Sequence, residues 1–129
     1  MMEMTVQRLS KPLLAALALS ALAVPALAHH SYAMFDMQKT VVLDASVTRF
    51  KWQNPHAFIE ADVAVNGSSE HWAIEMTSPN NLAQEGWKRT SLKQGDRVRI
   101  WVHPLRSGAR GGSYAGVRLA NGSTLGDVN

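Results

Sequence analysis

A proline-bearing corner, Asn54-Pro55, is the feature that most limits how this chain can fold. Pro55 fixes its own φ and disfavours the helical conformation at Asn54, so the backbone must turn or extend there. Apolar and polar residues alternate on both sides of the corner, from Val41 to Val47 and from Ala57 to Val65. Such alternation is typical of strands with one buried face. The pattern therefore predicts two β-strands that meet at a bend.

The first strand changes phase as it approaches the corner. Apolar residues occupy the odd positions from Val41 to Val47 but the even positions Phe50 and Trp52 further along. A phase change within one long strand indicates a bulge or a sharp bend, which small barrels use to close.

Turn and cap signals follow in the next part of the chain. Asn66-Gly67 is a strong hairpin signal because both residues tolerate positive φ, and a third alternating strand follows it. Ser78 suits a helix N-cap, and Pro79 suits the first turn. Gly86 can end a helix, so the sequence predicts a short one over Asn80 to Glu85.

Two or more strands follow the helix. Arg97 to His103 alternates in character, and Pro104 ends that run. Tyr114 to Leu119 reads as a short fifth strand. Asn121-Gly122 then turns the chain into a last strand-like piece, Ser123 to Leu125.

The order of these elements defines the expected fold. Three strands, a short helix and at least two further strands in about 100 residues favour a mainly β, five-stranded OB-like barrel, with the helix between strands three and four. We assign this barrel to residues 39–129. A β-sandwich is the main alternative.

The first 28 residues have the layout of a secretory signal peptide. Arg8 and Lys11 precede an apolar run from Leu13 to Val24, and Pro25-Ala26-Leu27-Ala28 supplies the small residues of a cleavage site. A membrane anchor is the alternative, but the run is shorter than the roughly 20 residues that span a bilayer.

Cleavage after Ala28 would leave an N-terminal arm, residues 29–38, ahead of the barrel. Tyr32, Met34 and Phe35 are candidates for holding this arm on the domain. We expect a periplasmic or secreted protein that meets a membrane only during export. The chain has no cysteine, so disulfides play no part in its stability.

The charge is divided unevenly along the chain. Residues 29–85 carry three basic and seven acidic side chains, whereas residues 86–129 carry eight basic and two acidic ones. This asymmetry favours either an anionic partner or a barrel whose two halves pair electrostatically. The net charge of +3 is too small to favour nucleic acid. We expect a monomer.

Several short motifs together resemble a family of small exported bacterial proteins that is classed as a domain of unknown function. The motifs lie between Ala28 and Asp96 and are Ala28-His29-His30-Ser31, Phe35-Asp36, Trp52-x-Asn54-Pro55-His56, Trp72-x-Ile74-Glu75, Gly86-Trp87 and Leu92-x-x-Gly95-Asp96. The resemblance implies export and a compact β domain. It implies no catalytic residues.

Cleavage after Ala28 also creates a candidate copper site. A free α-amino group and an imidazole on His29 can chelate a metal together, and one further histidine would complete three nitrogen ligands, which suits Cu(II). His56 and His103 are the first candidates for that ligand, with His30 and His71 behind them. The alternative is that His29-His30 is simply a polar, frayed terminus.

Met34 and Met37 are soft side chains that could assist Cu(I), although methionines more often serve in packing.

A second candidate site is the outward face of the barrel near the corner. Aromatic, amide and charged side chains there could bind a saccharide, a small ligand or a protein of the cell envelope. The candidate ligand-binding residues are Trp52, Asn54, His56, Phe58, Glu75 and Trp101. The alternative is that the arm or the helix covers Phe58 and Trp101.

We identify no catalytic residues and expect a binding protein in preference to an enzyme. Glu75 and His71 could form a histidine–carboxylate pair, which would act as a general base or support a metal ligand. The alternative is a cross-strand ion pair on a solvated face. Ser78 suits a helix cap better than a nucleophile, because no base lies near it in the sequence.

Overall fold

The computed structural model describes residues 32–129 of the chain. Ala33–Asn129 form one compact unit. The expected signal peptide and the candidate ligands His29 and His30 lie outside the described residues. Within the described part, no helix is long and apolar enough to cross a membrane.

Six strands and one short helix make up the described domain. They are β1 (Val41–Lys51), β2 (Phe58–Val65), β3 (Ser68–Glu75), α1 (Pro79–Gln84), β4 (Arg97–Pro104), β5 (Gly111–Arg118) and β6 (Thr124–Gly126).

The first five strands form a closed barrel. Neighbouring strands run in the order β3-β2-β1-β4-β5, and β5 returns to pair in parallel with β3. The short strand β6 adds to the outer edge of β5. A closed five-stranded sheet with α1 between β3 and β4 confirms the predicted OB-like barrel over the sandwich.

The predicted irregularity in β1 is a β-bulge. The register of β1 against β2 shifts between Val47 and Arg49. Before the shift, Val41 to Ser46 also pair with β4 on the other edge. The bulge lets one long strand serve two neighbours and bend the sheet toward closure.

Local turn chemistry fixes the connections as the sequence predicts. Asn66 and Gly67 have φ of 49° and 80° in the tight β2–β3 hairpin. The Asn54-Pro55 peptide is cis and lies in the connection from β1 to β2. Beyond this corner, Ala57 and Met76 are joined by a backbone hydrogen bond of 2.8 Å, which ties the start of β2 to the end of β3.

Branched side chains fill the barrel, and α1 packs onto it. Ile59, Ile74 and Ile100 are fully buried on the inward faces of β2, β3 and β4. Leu82 on α1 is equally buried. The hydroxyl of Ser78 accepts a hydrogen bond of 3.3 Å from the backbone N–H of Asn81, which confirms the predicted N-cap.

An aromatic cluster borders this core. Phe50 contacts Trp52 at 5.7 Å and Trp87 at 5.6 Å between ring centroids, and Trp87 contacts Tyr114 at 5.4 Å. Trp87 Nε1 donates a hydrogen bond of 3.3 Å to the Tyr114 hydroxyl. Burial of that hydroxyl raises the pKa of Tyr114 to about 12. The cluster therefore holds its one phenol in the neutral form.

The titration of Tyr114 tests this cluster. The phenol should ionise near pH 12 in the folded protein rather than near 10.0, its ordinary value. Since the unfolded chain loses its proton first, the stability contributed by the neutral phenol is constant below pH 10.0 and falls as the pH rises toward 12. Ultraviolet titration of Tyr32→Phe isolates Tyr114, because the chain has two tyrosines. Ionisation near pH 10 in the folded variant would show that the hydroxyl is solvated.

Candidate functional site

Trp52 and Asn54 border a cavity between the corner and the helix α1. The cavity has a volume of about 420 Å³, and its other lining residues are Pro79, Asn80 and Ala83. Trp52 is half-buried and meets the Phe50 ring edge-on, so its position is fixed by the aromatic cluster. Asn54 and Asn80 are exposed. The site therefore combines a fixed indole with two accessible amide side chains.

His56 is held by the backbone that leaves β3. Its Nδ1 lies 2.8 Å from the carbonyl oxygen of Met76, and the nearest carboxylate oxygen of Glu75 is 3.6 Å away. A carbonyl only accepts hydrogen bonds, so Nδ1 must carry the proton. In the neutral imidazole, Nε2 then keeps its lone pair, which is the arrangement of a metal-ligating histidine.

Phe58 and Glu75 complete the group around the corner. They lie directly opposite each other on β2 and β3, and both are half-buried. The structure therefore brings His56, Phe58 and Glu75 together, but none of the three lines the cavity that Trp52 and Asn54 border.

Trp101 lies on β4, apart from these residues. Its position alternates with the inward residues of its strand, so the side chain is expected to point outward and be exposed. It is nevertheless only 8% exposed. The Arg118 guanidinium carbon lies 5.4 Å from the centre of its ring. Trp101 thus offers little aromatic surface, and the expected exposed face is limited to the corner.

The N-terminal arm runs beside the end of β4. Phe35 is 4% exposed and bridges to Leu105, so it holds the arm on the barrel as predicted. Met34 and Met37 are about half exposed, at 50% and 45%. Their side chains therefore do not have the packing role that methionines usually take.

His103 is bonded to Lys39, the residue that directly follows this arm. Its Nδ1 lies 2.8 Å from the carbonyl oxygen of Lys39. As at His56, the acceptor fixes the proton on Nδ1 and leaves the Nε2 lone pair free in the neutral ring. Two of the proposed copper ligands are thus oriented by backbone carbonyls.

The suggested pairing of His71 with Glu75 is wrong. His71 Nδ1 lies 2.9 Å from a carboxylate oxygen of Asp62, which is its direct cross-strand partner. Glu75 faces Phe58 instead. The pair of His71 and Asp62 lies about half exposed on the surface, as expected for a cross-strand ion pair.

Among residues 32–129, no three His, Asp or Glu side chains are grouped so that they could hold a metal ion. His56 and His103 each present one ring nitrogen from the described domain.

Sequence reasoning missed a second cavity, on the outer surface of the sheet. It has a volume of about 570 Å³ and spans strands β1 to β5. The lining residues are Asp44, Ala45, Ser46, Asp62, Ala64, Ser69, Arg97, Val98, Arg99, Arg118 and Leu119. We call it the outer groove. The alternation from Arg97 to His103 was predicted, but the residues of other strands that lie beside Arg97 and Arg99 depend on the register.

One ion pair in the outer groove joins the two halves of the chain. Arg99 Nε and Nη2 donate to the two carboxylate oxygens of Asp44 at 2.7 and 3.2 Å. The hydrogen bonds from Arg99 hold the pKa of Asp44 below its usual value. Arg110 and Glu70 make a second link between the halves, at 3.4 Å. Both pairs are exposed enough to contribute little stability.

The fold places this chain in the class of small OB-like barrel proteins. The chain belongs to the family of unknown function DUF6152, whose family model matches residues 16–115. This confirms the resemblance to a domain of unknown function. No curated protein matches the chain, and no solved structure does so either.

The proton positions on the histidines can be measured directly. Long-range ¹H–¹⁵N NMR at a pH where the rings are neutral should show Nδ1 protonated and Nε2 unprotonated for His56 and His103, because each Nδ1 faces a carbonyl. His71, which faces a carboxylate, is the internal comparison. A Nε2–H tautomer at His103 would mean that its bond to Lys39 does not form in solution.

Proposed function

We propose that this protein is an exported copper-binding protein whose ligands are the processed N-terminal His29 and one imidazole of the barrel, His103. The observation that carries the proposal is the bond of 2.8 Å between His103 Nδ1 and the Lys39 carbonyl. This bond orients Nε2 as a ligand, and its acceptor, Lys39, directly follows the arm that leads back to His29.

The chemistry of the N-terminus supplies the other ligands. Removal of residues 1–28 would free the amino group of His29, which forms a chelate with its own imidazole. With one more imidazole this gives three nitrogen donors, and such a set suits the tetragonal geometry of Cu(II). Zinc would favour a fourth protein ligand or water in a tetrahedral arrangement.

The anchoring of the arm favours His103 over His56. The Ala33 carbonyl accepts a hydrogen bond of 3.1 Å from Arg106 Nε, and Arg106 is three residues after His103. Four residue steps separate His29 from Ala33, which limits His29 to about 14 Å from that anchor. His56, by contrast, is bonded to Met76 at the end of β3, not to the arm.

The exposed methionines add support for copper. Met34 and Met37 present thioether sulfur on the arm that carries the proposed ligand, while Met76 is 3% exposed in the core. Thioethers are soft ligands that suit Cu(I). A site with nitrogen donors for Cu(II) and sulfur nearby for Cu(I) would tolerate both oxidation states.

A copper titration of protein that starts at His29 tests the proposal. We expect one Cu(II) per chain, with nitrogen hyperfine structure in the electron paramagnetic resonance spectrum. Adding one glycine before His29 moves the amino group and should weaken binding at least roughly 100-fold, and His103→Gln should weaken it roughly 10- to 100-fold. His71→Gln is the matched control and should bind as the parent does.

Equal Cu(II) affinity with and without the added glycine would contradict the N-terminal chelate. If His56→Gln weakens Cu(II) binding and His103→Gln does not, the N-terminal chelate stands and the third ligand is His56 instead of His103.

A second candidate function is an envelope interaction module that binds a saccharide at the corner. It is favoured by the cavity of about 420 Å³ in which the Trp52 indole lies beside the amides of Asn54 and Asn80. Aromatic faces and amide groups are what small-molecule sites use for packing and for orientation. His56, Phe58 and Glu75 would then form the edge of the site.

Saccharide binding at the corner predicts a specific pattern. Oligosaccharides of the cell envelope should change the intrinsic tryptophan fluorescence, and Asn54→Ala should abolish this change while leaving the fold intact. Gln53→Ala, an exposed neighbour that does not line the cavity, should leave the change unaltered. A fluorescence change that survives Asn54→Ala would place the saccharide elsewhere.

A further inference from the structure

The outer groove has a defined order of side chains because five strands hold it in register. Ser46 on β1 lies opposite Arg97 on β4 and opposite Asp62 on β2, and Asp62 lies opposite His71 on β3. Strands are about 4.8 Å apart, so the Cα atoms of Arg97 and Asp62 are separated by roughly 10 Å, with a small serine between them.

A second row lies beside the first. Arg99 on β4 is opposite Asp44 on β1 and opposite Arg118 on β5. Ala64 and Ser69 extend the far side of the groove on β2 and β3. Arginines therefore form the β4–β5 side, aspartates stand on the β1–β2 side, and small side chains leave the floor open.

The two outer arginines have no carboxylate partner among the described residues. Arg99 is paired with Asp44, but neither Arg97 nor Arg118 lies within 4.0 Å of an acidic group there. The Arg118 guanidinium instead lies over the ring of buried Trp101. This contact holds a positive charge in place without neutralising it.

The basic residues of the second half of the chain are thus not all explained by pairing with the first half. Arg99 and Arg110 make such pairs, and Lys93 pairs with its neighbour Asp96. Two of the remaining basic residues, Arg97 and Arg118, both line the outer groove. Part of the positive charge of the second half of the chain therefore lies at a cavity of ligand size.

We infer that the outer groove binds a small carboxylate whose other end carries hydrogen-bond donors. Arg97 and Arg118 would hold the carboxylate, since guanidinium groups match carboxylate geometry. On the far side of the groove, the carboxylate of Asp62 would accept hydrogen bonds from the donors of the ligand. The contact with His71 keeps this carboxylate in place. This site is separate from the proposed copper ligands and does not depend on them.

The aspartates restrict the ligand class. A polyanion would bring further negative charge against Asp44 and Asp62, which is unfavourable. A neutral sugar would leave both free guanidinium groups without a charged partner. A sugar acid or an amino acid would match the arginines and the aspartates at once. Each of these ligands combines one carboxylate with hydrogen-bond donors, which are hydroxyls in the sugar acid and an ammonium group in the amino acid.

Chemical-shift titration of ¹⁵N-labelled protein with glucuronate and, separately, with glutamine tests the inference. At least one ligand should shift the amides of Ser46, Asp62, Arg97 and Arg118 at millimolar concentration, and the stronger one identifies hydroxyl or ammonium donors. Arg97→Gln and Arg118→Gln should each weaken binding about 10-fold, which corresponds to one charge-assisted contact. Glucose, which lacks the carboxylate, should bind at least about 10-fold more weakly than glucuronate.

Arg89→Gln is the control, because Arg89 is exposed in a loop and does not line the groove. It should leave the titration unchanged. The inference is overturned if neither carboxylate shifts the groove amides, if glucose binds as well as glucuronate, or if Arg89→Gln weakens binding as much as the groove variants do.

Discussion

The parallel pairing of β3 with β5 is the contact on which the rest of the structure depends. It closes the sheet, so that residues 73–75 lie against residues 111–113 and no long edge of the barrel is left open there. The backbones of β4 and β5 also approach closely: a Cβ on Gly112 would overlap Val102 and the carbonyl of His103. The strand that carries His103 is therefore held tightly at the point where the arm meets it.

Two imidazoles show how the backbone of the barrel can orient side chains toward a ligand. His56 and His103 stand on different parts of the barrel, yet each Nδ1 meets a backbone carbonyl at 2.8 Å. A carbonyl in a fixed backbone gives a ring both its tautomer and its direction without adding charge.

Local chemistry made much of the fold predictable from the sequence. The phase change before Phe50 indicated the bulge, Asn66-Gly67 the hairpin and Ser78 the helix cap, because each signal depends on neighbours in the chain. Contacts set by register were not predictable. Asp44 and Arg99 are 55 residues apart, and only the β1–β4 pairing brings them together. Trp101 is outward by alternation but buried, which no local pattern indicates.

The proposed copper site, the central functional claim, requires a processed chain whose first residue is His29, since this position then offers an amino group and an imidazole together. The most direct measurement is the intact mass of the protein recovered from the periplasm of a Gram-negative host that expresses the full sequence. We predict the mass of residues 29–129. A chain that keeps its first 28 residues, or one that begins at any residue other than His29, would contradict the account.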